Sequence, residues 1–92
     1  MAKQVLLRIE RLHRGNGLYE HRIFARNKSR AVPASATIET VYENPPNLPV
    51  ARKQLKRLAP TEEKLVLVRY GPAESRLSGS IVEETTEDSP GR

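Results

Sequence analysis

The sequence predicts an α+β domain, a small and mostly antiparallel sheet of four to five strands with one basic amphipathic helix. Short runs that alternate between apolar and polar residues, separated by turn residues, predict the strands. Three leucines and an alanine, spaced three and four residues apart before a proline, predict the helix. A chain of 92 residues with 37% hydrophobic residues can form one small hydrophobic core. Because it contains no cysteine, this core is not supported by disulfide bonds.

The first two predicted strands form a hairpin. Residues 5–12 and 18–25 each alternate, so that one face of each strand is apolar and the other is charged. The turn between them contains Asn16-Gly17, and this pair takes a positive φ at low cost. We therefore expect a hairpin whose tip and polar face are basic.

A loop, a third strand and the helix are expected to follow. Residues 26–36 are small and basic, which indicates a loop, and the β-branched alternation of residues 37–42 predicts a strand. Asn47 is expected to cap a helix that runs to Ala59, before Pro60. Its apolar stripe consists of Leu48, Ala51, Leu55 and Leu58.

The last third of the chain is expected to contain the most buried strand, at residues 65–70. Residues 72–82 fit either a short helix or a last strand. Residues 83–92 contain no aliphatic or aromatic side chain, which predicts an acidic disordered tail. We therefore expect one domain, residues 1–82, and a tail, residues 83–92.

The net charge of +5 is unevenly distributed. Residues 1–30 hold eight Lys and Arg against two Glu, whereas residues 58–92 hold four against seven Asp and Glu. A basic body indicates a polyanionic partner, most simply a nucleic acid, rather than a basic surface with no partner. Arginine outnumbers lysine, and its guanidinium binds phosphate well.

Catalysis is not expected. The single aspartate, Asp88, lies in the predicted tail, so the domain lacks a Ser–His–Asp arrangement. His13 and His21 flank the first turn, where we expect histidines that face solvent or RNA rather than a metal ion. We expect no cofactor, no small-molecule substrate and no membrane span.

The order of several short motifs resembles the S-sixteen family of small-subunit ribosomal proteins. The motifs are Arg8-Ile9-Glu10-Arg11, Tyr19 at the second strand, Ser29-Arg30, Ile38-Glu39, and Tyr42 before Asn44-Pro45. The tryptophan that ends the family's helix is absent. The resemblance implies an α+β protein that stabilises small-subunit ribosomal RNA beside neighbouring ribosomal proteins. The departures favour a ribosome in the mitochondrial matrix over one in bacterial cytoplasm.

The expected RNA-binding residues come from two sources. The resemblance implies that five residues contact backbone phosphates: Arg8, Arg11, Arg14, Ser29 and Arg30. The charge pattern adds seven cations: Arg22, Arg26, Lys28, Arg52, Lys53, Lys56 and Arg57. Two alternatives stay open, a stand-alone OB-like protein that binds single-stranded nucleic acid and a small basic protein-interaction module.

Overall fold

The computed structural model describes residues 4–44, 50–72 and 76–86, and these residues form six β-strands in two antiparallel three-stranded sheets. The strands are β1 Val5–His13, β2 Leu18–Asn27, β3 Ala34–Asn44, β4 Ala51–Leu58, β5 Glu63–Pro72 and β6 Arg76–Thr86. Sheet A has the order β1-β2-β5 and sheet B the order β4-β3-β6. No helix occurs in the described residues, so the predicted α+β class is wrong and the fold is all-β.

The predicted hairpin is confirmed as β1 and β2, which pair from Val5↔Asn27 to His13↔Tyr19. Its turn places Gly15, Asn16 and Gly17 at positive φ. Glycine and asparagine adopt this conformation at little cost, which explains the sequence of the turn.

The core lies between the two sheets, at the end that holds the β2–β3 loop. Alternate residues of the central strands β2 and β3 point inward and pack against the edge strands. The buried apolar residues are Val5, Ile23, Ala25, Ala34, Ala36, Ile38, Leu58 and Val66. Leu7, Leu55, Leu67, Leu77 and Ile81 are partly buried against them.

The predicted helix is wrong over residues 51–58, which form the edge strand β4. Ala36 pairs with Leu55 and Ala34 pairs with Leu58, so one strand has an extra residue in this interval. Arg57 adopts a φ of 54° in the resulting β-bulge, and its amide donates to Ser35 Oγ at 3.0 Å. The bulge turns Leu55 and Leu58 toward the same core despite their three-residue spacing, which imitated a helical stripe. The expected cap, Asn47, lies outside the described residues.

Strand β5 is confirmed, but it is not the most buried strand. It forms an edge of sheet A, and its outward residues Leu65, Val68 and Tyr70 are 49%, 37% and 56% exposed. A shift in register between Ile23 and Phe24 leaves Val66 as the buried apolar residue of β5. The outer side of β5 is therefore an exposed apolar stripe.

The strand β6 extends to Thr86, so the expected boundary after residue 82 lies inside it. Residues 83–86 pair with the first residues of β3. The Glu84 carboxylate accepts hydrogen bonds from the amides of Gln4, at 2.7 Å, and Val5, at 3.3 Å. These contacts connect the edge strands of the two sheets. The rest of the expected tail, residues 87–92, lies outside the described residues.

The fully buried Asn27 joins three parts of the chain at one end of the sandwich. Its Nδ2 donates to Val32 O at 2.8 Å and to Leu58 O at 3.0 Å, while its Oδ1 accepts from Ser29 N at 3.0 Å. Its own amide donates to Glu62 O at 2.9 Å. Asn27 therefore holds the β2–β3 loop against the end of β4 and the beginning of β5.

We expect Asn27→Ala to lower the free energy of unfolding by about 2–4 kcal/mol, because buried carbonyl and amide groups lose their partners. Chemical denaturation of the purified protein measures the change. Gln54→Ala, at an exposed position on β4, is the control and should stay within about 0.5 kcal/mol of the parent. An Asn27→Ala variant as stable as the parent would show that this amide does not hold the loop.

Candidate nucleic-acid interface

The Arg-x-x-Arg step of β1 places its two arginines on opposite faces of sheet A. Arg8 faces outward, where its guanidinium donates to Glu10 Oε2 at 2.8 Å and to Glu63 Oε1 at 3.1 Å. Arg11 lies on the other face, where its guanidinium is 4.0 Å from the ring centroid of Tyr19. Residues three apart on a strand point to opposite sides. The family resemblance implies that both arginines contact phosphates, but the structure places them on opposite faces of the sheet.

A second ion cluster occupies the outer face of sheet A around Glu20. This carboxylate accepts from Arg14 Nε at 2.7 Å and from Arg22 Nε at 2.6 Å. The two hydrogen bonds, with that from Arg22 the stronger influence, hold the pKa of Glu20 below its usual range. Arg14 and Arg22 are therefore engaged with a carboxylate of their own sheet, as Arg8 is with Glu10 and Glu63.

Ser29 shapes the β2–β3 loop. Its Oγ accepts hydrogen bonds from the amides of Ala31 and Val32, both at 3.1 Å. Its carbonyl accepts from Thr61 N at 3.0 Å. The hydroxyl expected to bind phosphate thus stabilises the loop that carries its two cationic neighbours, Lys28 and Arg30.

Four of the expected cations are exposed and form no ion pair with any described residue. They are Lys28, Arg30, Lys53 and Lys56, which we call the basic rim. Arg26, near the end of β2, is not one of them, because it lies opposite Glu63 on β5 and, after Arg8, helps to lower the pKa of that carboxyl. Lys28 and Arg30 lie in the β2–β3 loop, and Lys53 and Lys56 lie on β4. The bonds of Asn27 to Val32 O and Leu58 O bring the loop beside the end of β4. The rim therefore runs from the loop along the edge strand β4, where Lys56 lies on the outer side of sheet B and Lys53 lies on the other side, opposite Ile38.

The other two expected cations of β4 lie beside the rim. Arg52 donates to Glu39 Oε2 at 2.9 Å on the outer face of sheet B. Arg57 occupies the bulge next to Ser35. Two carboxylates next to the start of β5 already have hydrogen-bond donors. Glu62 accepts from Ala59 N at 2.8 Å, and Glu63 accepts from Arg8. The carboxylates of Glu62 and Glu63 therefore bind other groups and form no ion pair with the rim cations.

The sequence missed a polar cluster inside the other end of the sandwich. His21 and Tyr42 are 3% and 2% exposed, and His21 Nδ1 is 2.9 Å from the Tyr42 hydroxyl. Arg69 Nη1 donates to Thr40 O at 3.1 Å and to Thr40 Oγ1 at 3.2 Å. This cluster joins β2 and β5 of one sheet to β3 of the other. The expectation that His21 faces solvent or RNA is wrong, since it shares the inward face of Ile23 and Ala25.

The cluster favours the neutral forms of its two titratable groups. Burial lowers the pKa of His21, and the positive charges of Arg11 and Arg69 lower it further. Burial also raises the pKa of the Tyr42 hydroxyl, although Arg69 opposes this change. The Tyr42 hydroxyl can donate to an unprotonated His21 Nδ1, and protonation of that nitrogen removes the acceptor.

We expect stability to fall as the pH decreases below about 6.5, because the unfolded chain then binds a proton that folded His21 resists. The loss continues down to the lowered folded pKa, with a slope of at most about 1.4 kcal/mol per pH unit for one proton. Hydrogen bonds from arginines lower the pKa values of Glu20 and Glu63. Their contributions to the free energy of unfolding therefore begin to fall only below about pH 4.5, where these side chains in the unfolded chain bind protons.

Denaturation between pH 5 and 7.5 measures this slope in the parent and in two variants. His21→Gln should abolish the slope between pH 5 and 6.5, and the exposed-site control His13→Gln should retain it. An unchanged slope in His21→Gln would show that another group titrates in this range.

Comparison of the chain with protein-family models, with curated proteins and with solved structures finds no match. Within the described residues, no helix is long and apolar enough to cross a membrane. The same residues contain no group of three or more His, Asp or Glu side chains placed to hold a metal ion. The resemblance to the S-sixteen family thus stays a prediction from short motifs.

Proposed function

We propose that the protein binds structured RNA, and that it does so by pairing the basic rim with backbone phosphates. One observation carries the proposal: four exposed cations that have no carboxylate partner among the described residues, Lys28, Arg30, Lys53 and Lys56, lie in the β2–β3 loop and along β4. Phosphate contacts of this kind dominate the affinity of proteins for nucleic acids. The cations of sheet A, by contrast, are largely engaged with Glu10, Glu20 and Glu63.

The aromatic side chains favour backbone contacts over base stacking. The guanidiniums of arginines cover three of the four aromatic rings, at 4.2 Å for Phe24, 4.0 Å for Tyr19 and 4.7 Å for Tyr42. Tyr70 is the exposed ring. Proteins that bind single strands without sequence preference stack successive bases on such rings. The OB-like alternative also required a helix where β4 lies, and it is therefore not retained.

Small-subunit ribosomal RNA is the target that the motif order over residues 5–45 suggests, with the ribosome of the mitochondrial matrix as the location. The family's helix is replaced here by β4. The ribosomal part of the proposal therefore rests on the motifs alone, whereas RNA binding rests on the rim. The two parts can be tested separately.

Protein interaction is the second candidate function, because the outer side of β5 exposes an apolar stripe. Leu65, Val68 and Tyr70 lie on one face of an edge strand, beside the ion clusters of sheet A. Contiguous exposed apolar groups often mark contact sites for other proteins. Such a contact is compatible with RNA binding at the rim, as for a protein that has neighbours in a ribonucleoprotein particle.

We expect the double substitution Arg30→Gln with Lys56→Gln to weaken binding to a structured RNA hairpin. Loss of two phosphate contacts should flatten the log–log salt dependence of the binding constant by about 1.4–1.8. The affinity should fall broadly across RNA sequences, because backbone contacts carry no base information. Fluorescence anisotropy at several salt concentrations measures both quantities.

Arg76→Gln is the matched control, since it removes one exposed cation far from the rim. Arg76 pairs with Asn44, at the opposite end of β3 from Ala34. This variant should keep nearly the parental salt slope. If the double variant retains the parental affinity and salt slope, the rim does not bind RNA, and protein interaction becomes the better-supported function.

A further inference from the structure

A polar groove lies on the outer face of sheet B and adjoins the basic rim. It is lined by Ser35, Ala36, Thr37, Gln54, Glu83 and Thr85, and it is a solvent-open depression of about 210 Å³. The strand register explains this lining, because Thr37 pairs with Gln54 on one side and with Glu83 on the other. We call this feature the hydroxyl groove, after its three hydroxyl side chains.

The hydroxyl groove and the rim meet at the bulge in β4. Ser35 Oγ accepts the amide of Arg57, the residue directly after Lys56. By strand alternation Lys56 points to the same outer side as Gln54. A ligand whose phosphates lie on Lys56 and the loop cations therefore places its next group against the groove.

The chemistry of the groove differs from that of the rim. Hydroxyl and amide side chains both donate and accept hydrogen bonds, whereas the exposed carboxylate of Glu83 accepts them and repels phosphate. Ribose 2′-hydroxyls, which both donate and accept, can form hydrogen bonds with each of these groups and add no charge of their own. A-form RNA displays its 2′-hydroxyls along a wide, shallow minor groove that side chains can reach.

We propose that the hydroxyl groove contacts ribose 2′-hydroxyls of an RNA whose phosphates lie on the basic rim, and so makes the protein selective for RNA. This inference rests on the proposed function. It assigns to sheet B the discrimination of RNA from DNA, which contacts with phosphates alone do not provide. Thr37, Gln54 and Thr85 provide the contacts. Ser35 is occupied by the Arg57 amide and positions the bulge.

The experiment compares an RNA hairpin with the same hairpin carrying 2′-O-methyl groups, which keep the A-form but remove the hydroxyl donors. The full-length protein should bind the unmodified hairpin more tightly, by about fivefold for each hydrogen bond lost. The double variant Thr37→Val with Thr85→Val keeps β-branched side chains suited to strands. It should reduce the preference for unmodified RNA by about fivefold for each hydroxyl contact removed and leave the salt slope unchanged.

Ser80→Ala is the matched control, because Ser80 is a hydroxyl residue on β6 that pairs with Glu39 and does not line the groove. It should retain the parental preference. Thermal unfolding confirms that each variant is folded. A parent protein that binds both hairpins equally, with its salt slope intact, would overturn this inference and leave RNA binding at the rim in place.

Two further outcomes are also decisive. If the double variant keeps the full parental preference for unmodified RNA, the Thr37 and Thr85 hydroxyls do not contact the ribose and the inference fails. If the parent binds neither hairpin, both the proposed function and this inference fail.

Discussion

The buried amide of Asn27 determines where the β2–β3 loop runs, and the arrangement of the cationic surface depends on it. Its side chain binds backbone groups of Ser29, Val32 and Leu58, and its own amide binds Glu62. A buried amide with these partners tolerates little displacement, since any movement leaves polar groups unsatisfied. The loop cations are therefore held next to the end of β4 by a contact that carries no charge.

The two ends of the sandwich have different interiors and different roles. Near Asn27 the interior is aliphatic, and the outside carries the basic rim and the hydroxyl groove. At the other end the interior contains His21, Tyr42 and Arg69, which connect the sheets through polar contacts. The aliphatic core is small and does not extend to this end, where hydrogen bonds between the two sheets connect them instead. Several arginines that contribute to the net charge of +5 form ion pairs within sheet A. The net charge is therefore a poor guide to the number of cations that can bind phosphate.

Alternation predicted the hairpin β1–β2 and the inward faces of its strands, because a period of two is visible in the sequence. The helix prediction failed because a bulge gave Leu55 and Leu58 a helical spacing on a strand. The cations of the candidate site were also identifiable, but their partners were not. Glu63 reaches Arg8, 55 residues earlier in the chain, because β2 pairs with both β1 and β5, and such strand register depends on contacts between distant residues.

An NMR titration of the labelled full-length protein with an unmodified RNA hairpin tests the central claim most directly. The claim is that RNA binds across the rim formed by the β2–β3 loop and β4. It predicts that the largest amide shift changes fall at residues 28–30 and 53–57, with little change at the β5 stripe of Leu65, Val68 and Tyr70. Changes confined to that stripe, or to the region around Arg76, would contradict the account.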